Sequence, residues 1–193
     1  GNITNLNQYG TINGNTINFD RKFWYDSRLR LCRHQAPEFG DELFAYDNAD
    51  QLTQSSRGES AGSGCGSPSS SLRTSFNYDL MGRQTLINFP SGTDDIVKTY
   101  EANGNVTRNT RGGIVWDYAY DSLDAISQEK LAIDGNTFTF NYTRNQNGYV
   151  STRSSPSGLL YNFAPNGFGE PTQLAAGGTN HIDNVTYHPN GMV

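Results

Sequence analysis

Tyr78-Asp79-Leu80-Met81-Gly82-Arg83 decides how the rest of the chain reads. An aromatic residue closes a run in which Phe76 and Tyr78 alternate with polar residues, the period of a half-buried strand. The aspartate that follows can accept hydrogen bonds from backbone amides just ahead of it, and the glycine three residues later supplies positive φ. Together they specify a tight reversal. Gln84 to Phe89 then reads as the return strand.

Degraded forms of this hexapeptide return along the chain, eight copies in all. They are Tyr25-Asp26-Ser27-Arg28, Tyr46-Asp47-Asn48-Ala49-Asp50-Gln51-Leu52, the copy at Tyr78, and Tyr100-Glu101-Ala102-Asn103-Gly104-Asn105-Val106. Then come Tyr120-Asp121-Ser122-Leu123-Asp124-Ala125-Ile126, Tyr142 with Asn147-Gly148, Phe163-Ala164-Pro165-Asn166-Gly167, and Tyr187-His188-Pro189-Asn190-Gly191. Successive motif aromatics are separated by 21, 32, 22, 20, 22, 21 and 24 residues. The long step holds Ser55 to Ser71, rich in Gly and Ser, which reads as a loop insertion. With no apolar anchor in it, this stretch is expected to be the most mobile and protease-sensitive part of the chain.

Other aromatic strands follow the same alternation: Ile114, Trp116, Tyr118 and Tyr120; Phe138, Phe140 and Tyr142; Leu159, Tyr161 and Phe163. Second turns, such as Asn13-Gly14-Asn15 and Asp134-Gly135-Asn136, lead back into the next aromatic strand. Each repeat is thus a hairpin, marginal alone in water, and stacking the hairpins into one antiparallel sheet covers the aromatic faces jointly. The expected class is all-β over residues 1–193, with 55–71 as an insertion.

Composition agrees. Hydrophobic residues are 34% of the 193, aromatics 12%, charged residues 17%, and there are 21 glycines, a balance that favours short strands and tight turns over helices. A net charge of −5 without a basic patch argues against nucleic-acid binding. No apolar run is long enough to span a bilayer as a helix, and Gly1-Asn2-Ile3 begins no signal peptide.

The motif as it stands at Tyr78 to Arg83, repeated eightfold, resembles the YD-repeat (Rhs-repeat) family: bacterial Rhs polymorphic toxins, the C components of insecticidal toxin complexes, and animal teneurins. The resemblance covers essentially the whole chain. It implies a continuous curved sheet, a segment of a β-cocoon, and a non-enzymatic shell of a secreted bacterial toxin enclosing a C-terminal toxin domain. Implied partners are the flanking repeats, the enclosed toxin, and secretion-system or toxin-complex subunits; no cofactor is implied. An extracellular adhesion or glycan-contacting module of the same repeat type at the cell surface is the alternative. The Asp-Pro-x-Gly self-cleavage site of the bacterial members is not in this sequence, and the chain starts and stops inside repeats, as a piece of a longer protein would.

On this reading the structural motif residues are Tyr25, Asp26, Tyr46, Asp47, Tyr78, Asp79, Gly82, Arg83, Tyr100, Gly104, Tyr120, Asp121, Tyr142, Gly148, Phe163, Gly167, Tyr187 and Gly191. Asp94-Asp95, Asp121 with Asp124, and Asp183 could be imagined as acid–base pairs. However, an aspartate recurring at the same turn position in copy after copy behaves as a structural acceptor, whereas an active site is needed once. His181, Asp183 and His188 could be imagined as metal ligands, but the histidines read as exposed strand or turn residues. Cys32 and Cys65 are readable either as a disulfide, if the insertion folds back, or as two free thiols. Trp24, out of phase with Phe23 and Tyr25, is a candidate exposed aromatic for sugar contact.

Overall fold

A computed structural model of the chain describes residues 1–188, so Gly191, the last motif glycine, lies outside the described residues. The described residues form sixteen β-strands and no helix. All strand pairings are antiparallel, and within each of two units strands adjacent in the chain are neighbours in the sheet. This is the all-β class that the repeat predicts.

The first unit, Gly1–Val97, holds β1 (Asn5–Ile12), β2 (Asn15–Tyr25), β3 (Leu31–Ala36), β4 (Gly40–Tyr46), β5 (Leu52–Glu59), β6 (Thr74–Tyr78) and β7 (Gln84–Asn88), and the start of β8 (Ile96–Tyr100). Its opening hairpin turns on Asn13 and Gly14, at φ 51° and 78°. Positive φ at both central residues is what the right-handed strand twist asks of a two-residue turn.

The second unit, Lys98–Val193, carries β9 (Val106–Arg111), β10 (Ile114–Tyr120), β11 (Ile126–Ile133), β12 (Asn136–Arg144), β13 (Val150–Ser154), β14 (Leu160–Asn162), β15 (Leu174–Ala176) and β16 (Thr179–Ile182). Asp134 and Gly135 make the same kind of turn between β11 and β12, at φ 50° and 73°.

Strand register slips by one residue just before the motif turns, between Trp24/Tyr25, Ala45/Tyr46, Asn77/Tyr78, Ala119/Tyr120 and Thr143/Arg144. Each slip is a β-bulge, leaving one residue of the return strand opposite no partner.

Burial is concentrated. Cys32, Arg33, Ala36, Asp41, Leu43 and Ser56, all in β3 to β5, are at most 4% exposed, and in the second unit Ala175 is 8% exposed. The aromatic strands are mostly half-buried.

The expectation for Ser55 to Ser71 needs correction. Ser55 to Glu59 continue β5, pairing through Phe44↔Ser55, Leu43↔Ser56 and Glu42↔Arg57. The rest folds back over β3 and β4 and is fixed there. Ala61 N donates to Asp41 Oδ2 at 2.7 Å, Ser69 N to Glu59 Oε1 at 2.7 Å, and Cys65 is disulfide-bonded to Cys32. Pro68 is buried and a Cβ on Gly66 would come within 3.0 Å of Leu43 Cδ1, so the stretch has the apolar anchors its composition hides.

Candidate functional site

The repeated turn is the feature from which any function must be built. It has one hydrogen-bond frame, best counted from the residue before the acidic position. In the first copy Asp26 N donates to Arg30 O at 2.9 Å and Leu29 N to Asp26 O at 2.9 Å. The same two bonds recur from Asp47, Asp79, Glu101, Asp121, Asn145 and Asn166. The acidic or amide side chain completes the turn: Asp79 Oδ1 accepts from Met81 N and Arg83 N, both at 2.9 Å, and Asp121 Oδ1 from Leu123 N and Ala125 N.

The residue three after the acidic position is left-handed in each of these seven turns: Leu29, Asp50, Gly82, Gly104, Asp124, Gly148 and Gly169. Glycine adopts that conformation freely, whereas Asp50 and Asp124 have a compensation. Asp50 Oδ1 accepts from Arg30 at 2.7 Å, and Asp124 Oδ1 accepts from Asn105 at 3.1 Å and from Asn103. In both cases the donor belongs to the preceding turn.

Motif tyrosines link one repeat to the one before. Tyr25, Tyr46, Tyr78, Tyr120 and Tyr187 donate their hydroxyls to the carbonyls of Ile3, Leu31, Leu52, Val106 and Pro171, at 2.7 to 2.9 Å. Four of those acceptors, all but Ile3, stand six residues after the tyrosine position of the preceding copy. Burial raises the hydroxyl pKa of Tyr46 and Tyr120, which keeps both as donors.

This frame corrects two copies. Near Tyr142 the turn begins at Asn145, so the tyrosine position belongs to Arg144, whose Nη1 donates to Ile126 O at 2.6 Å as a motif tyrosine would. Tyr142 lies two residues earlier and bonds Glu129 Oε2 at 2.6 Å. Likewise the turn after Phe163 begins at Asn166, and Gly169, not Gly167, takes positive φ, at 86°. Spacing alone hid both shifts because a two-residue slip keeps a side chain on the same face of a strand. An eighth turn with this frame, from Ser155, was missed because serine replaces the aspartate.

Counting from the turn exposes a column that the aromatic count did not show. The bulge residue, seven after the tyrosine position, is Thr53, Thr85, Ser127 or Ser151, and Thr107 and Thr172 hold the same place in their copies. Thr53, Ser151 and Thr172 donate their hydroxyls to the carbonyl eight residues back, of Ala45, Thr143 and Ala164, while the Thr107 hydroxyl meets that of Thr99 at 2.9 Å. In the first copy this position is Cys32.

Beside Cys32 lies a buried cluster that the sequence did not announce. Arg33 and Asp41, each 2% exposed, form a bidentate pair with Nε–Oδ1 at 2.9 Å and Nη2–Oδ2 at 3.1 Å. The Arg33 guanidinium lies 4.1 Å from the centre of the Trp24 ring. Trp24 is therefore half-buried under Arg33 and not the exposed aromatic expected.

The imagined acid pairs are divided among structural tasks. The carboxyl of Asp26 is held below its ordinary value first by the Arg30 side chain, that of Asp79 first by the Arg83 amide, and that of Asp121 first by the Ala125 amide; partial burial opposes each. Asp95 accepts from Phe89 N at 3.0 Å and Asn88 Nδ2 at 2.7 Å, and Asp183 Oδ1 from Asn184 at 3.2 Å. His181 is exposed on β16, and His188 borders an open depression of about 820 Å³ with Phe168 and Tyr187. Among the described residues no three His, Cys, Asp or Glu converge as metal ligands, and no helix is long and apolar enough to cross a membrane.

Turn tips carry exposed apolar side chains: Leu29, Leu80, Met81, Leu123 and Phe168 are between 68% and 108% exposed. They fall on four of the eight turns; the other four carry Asn48-Ala49, Ala102-Asn103, Gln146-Asn147 and Pro156-Ser157.

No family model matches the chain, and no curated protein does. Solved structures do. The whole chain aligns with the TcdB2-TccC3 crystal structure at TM-score 0.61 and 12% identity, and with the TcdB2-TccC3-Cdc42 structure at 0.59 and 14%. It also aligns with the Photorhabdus luminescens Tc holotoxin pore, at 0.58 and 13%. The chain spans 12% of the length of each of these solved chains. At such identity the likeness is one of fold.

Proposed function

We propose that this chain is a wall segment of a secreted toxin-complex-type shell of the YD-repeat family, enclosing a C-terminal toxin domain and catalysing nothing itself. The observation that carries the reading is the alignment of the entire chain with one stretch of the TcdB2-TccC3 structures. The turn frame supports it, because the motif acids that might have done chemistry are taken up by backbone amides. The Cys32–Cys65 disulfide suits secretion, since such bonds persist in oxidising compartments. Partners on this reading are flanking repeats, the enclosed domain and other complex subunits. The glycan-contacting alternative loses its main support, because the face of Trp24 is taken by Arg33.

The test is protease protection of whatever follows the repeats in the full-length protein. A low-specificity protease should spare that region in the native protein and digest it once the shell is opened by mild denaturant. Digestion at the same rate in both states would overturn the shell reading.

A further inference from the structure

We propose that the Cys32–Cys65 disulfide is a redox latch: in oxidising surroundings it holds the 60–71 loop over the Trp24–Arg33–Asp41 cluster, and thiol reductants release the loop while the sheet stays folded. This inference stands whether or not the shell reading holds.

Three observations carry it. First, four other hairpins slip in the same way, and there the bulge position of Cys32 holds Thr53, Thr85, Ser127 or Ser151; Thr107 and Thr172 stand at the same place in two further copies. Those four hairpins form the bulge without a sulfur, so the sheet has no need of the bond. Second, Cys65 belongs to the segment that makes this repeat longer than the others, and the bond joins Cα atoms 5.3 Å apart. A bulge can bring its extra residue out on the face of its neighbour. That accounts for Cys32 reaching a loop that also touches Arg33.

Third, the remaining ties of the loop are few. They are Ala61 N to Asp41 at 2.7 Å, Ser69 N to Glu59 at 2.7 Å, and long contacts of 3.4 and 3.3 Å from Arg33 Nη1 to the carbonyls of Gly62 and Gly64. Pro68 and Gly66 add a small apolar contact. A Gly/Ser-rich chain loses much conformational entropy when fixed, so these ties do not hold it closed unaided.

The chemistry is a two-step exchange with a small thiol. Cys65 is exposed and Cys32 is 4% exposed, so a thiolate attacks Sγ of Cys65. The S–S bond breaks and its electron pair goes to Sγ of Cys32, which takes a proton from solvent. A second thiolate attacks the reagent sulfur of the mixed disulfide, freeing Cys65 as a thiolate and leaving the oxidised reagent disulfide. Two thiols are oxidised and one protein disulfide is reduced. The open loop then exposes the Trp24 ring and the Arg33–Asp41 pair to water.

The test compares the full chain oxidised, the same chain in dithiothreitol, and the Cys32→Thr/Cys65→Ser variant. Threonine restores the bulge hydroxyl that the other repeats use. A low-specificity protease, read by mass spectrometry, should cut within 60–71 about tenfold or more faster in the reduced chain and in the variant, because cleavage follows the open population. Far-ultraviolet circular dichroism should keep the same β signal in all three, and the variant should ignore dithiothreitol. Unchanged cutting on reduction would overturn the latch by showing that the loop holds without its bond. Cuts spreading through β2 to β5, or loss of the β signal, would overturn it by making the bond a structural staple.

Discussion

Two regions of the first unit solve the same problem in opposite ways. At β6 and β7 the turn from Asp79 to Arg83 is held by local bonds repeated throughout the chain, and its tip residues Leu80 and Met81 stand 108% and 68% exposed. At β3 to β5 the loop after Glu59 has almost no local bonding of that kind. It is held by a buried ion pair, a disulfide and one proline, none of which recurs in another copy. The comparison teaches that the repeat stabilises itself through backbone satisfaction with little full burial, whereas the insertion is ordered by the single deeply buried cluster of this unit.

The comparison is broken most forcefully at Asp41. Replacing it with Ala leaves Arg33 buried without its partner and Ala61 N without its acceptor, which should cost about 3 to 5 kcal/mol by denaturant unfolding. A loss below about 1 kcal/mol would mean that the pair is solvated in solution.

Next is Gly82→Val, which sharpens the contrast from the side of the turn. Gly82 sits at φ 79° and a Cβ there would meet Gln51 Nε2 at 3.1 Å, while Gly104, at φ 101°, has open space. Valine should cost about 2 to 3 kcal/mol at Gly82 and somewhat less at Gly104. Equal midpoints for the two variants would remove the packing part of the argument.

Tyr78→Phe removes the bond to Leu52 O, at 2.8 Å, and should cost about 1 kcal/mol. Tyr142→Phe should leave that ladder untouched, since Arg144 takes the carbonyl of Ile126. The two together check the corrected frame.

The smallest effect is on the acid side. The carboxyls of Asp26, Asp79 and Asp121 titrate below the ordinary 3.8 when folded. The unfolded chain therefore binds their protons first as pH falls. Their stabilisation is present above pH 3.8 and is lost as pH drops through the lowered folded values, so melting temperature should decline only in that acid window. A decline between pH 5 and 7 would point to other groups.

Much of the fold was legible because its signals are local: alternation before Tyr78 and Tyr120, and the Asn13-Gly14 and Asp134-Gly135 turns, need nothing from distant chain. The frame around Arg144 and Pro165 was not, since an arginine can replace a tyrosine hydroxyl as donor and the aromatic two residues away keeps the spacing plausible. Counting from the turn would have found it, and with it the Thr/Ser column that singles out Cys32. The Arg33–Asp41 pair was illegible for a different reason. It depends on how a Gly/Ser-rich segment folds back, and composition describes that segment's entropy but not the partners that offset it.

Amide hydrogen exchange on the oxidised chain tests the central claim most directly. The amides of Ala61 and Ser69, in the loop, should be protected to the same order as those of Arg83 and Ala125, in the repeated turns. Exchange of Ala61 and Ser69 at unfolded rates, beside protected Arg83 and Ala125, would contradict the account and return the insertion to the free loop that its composition suggests.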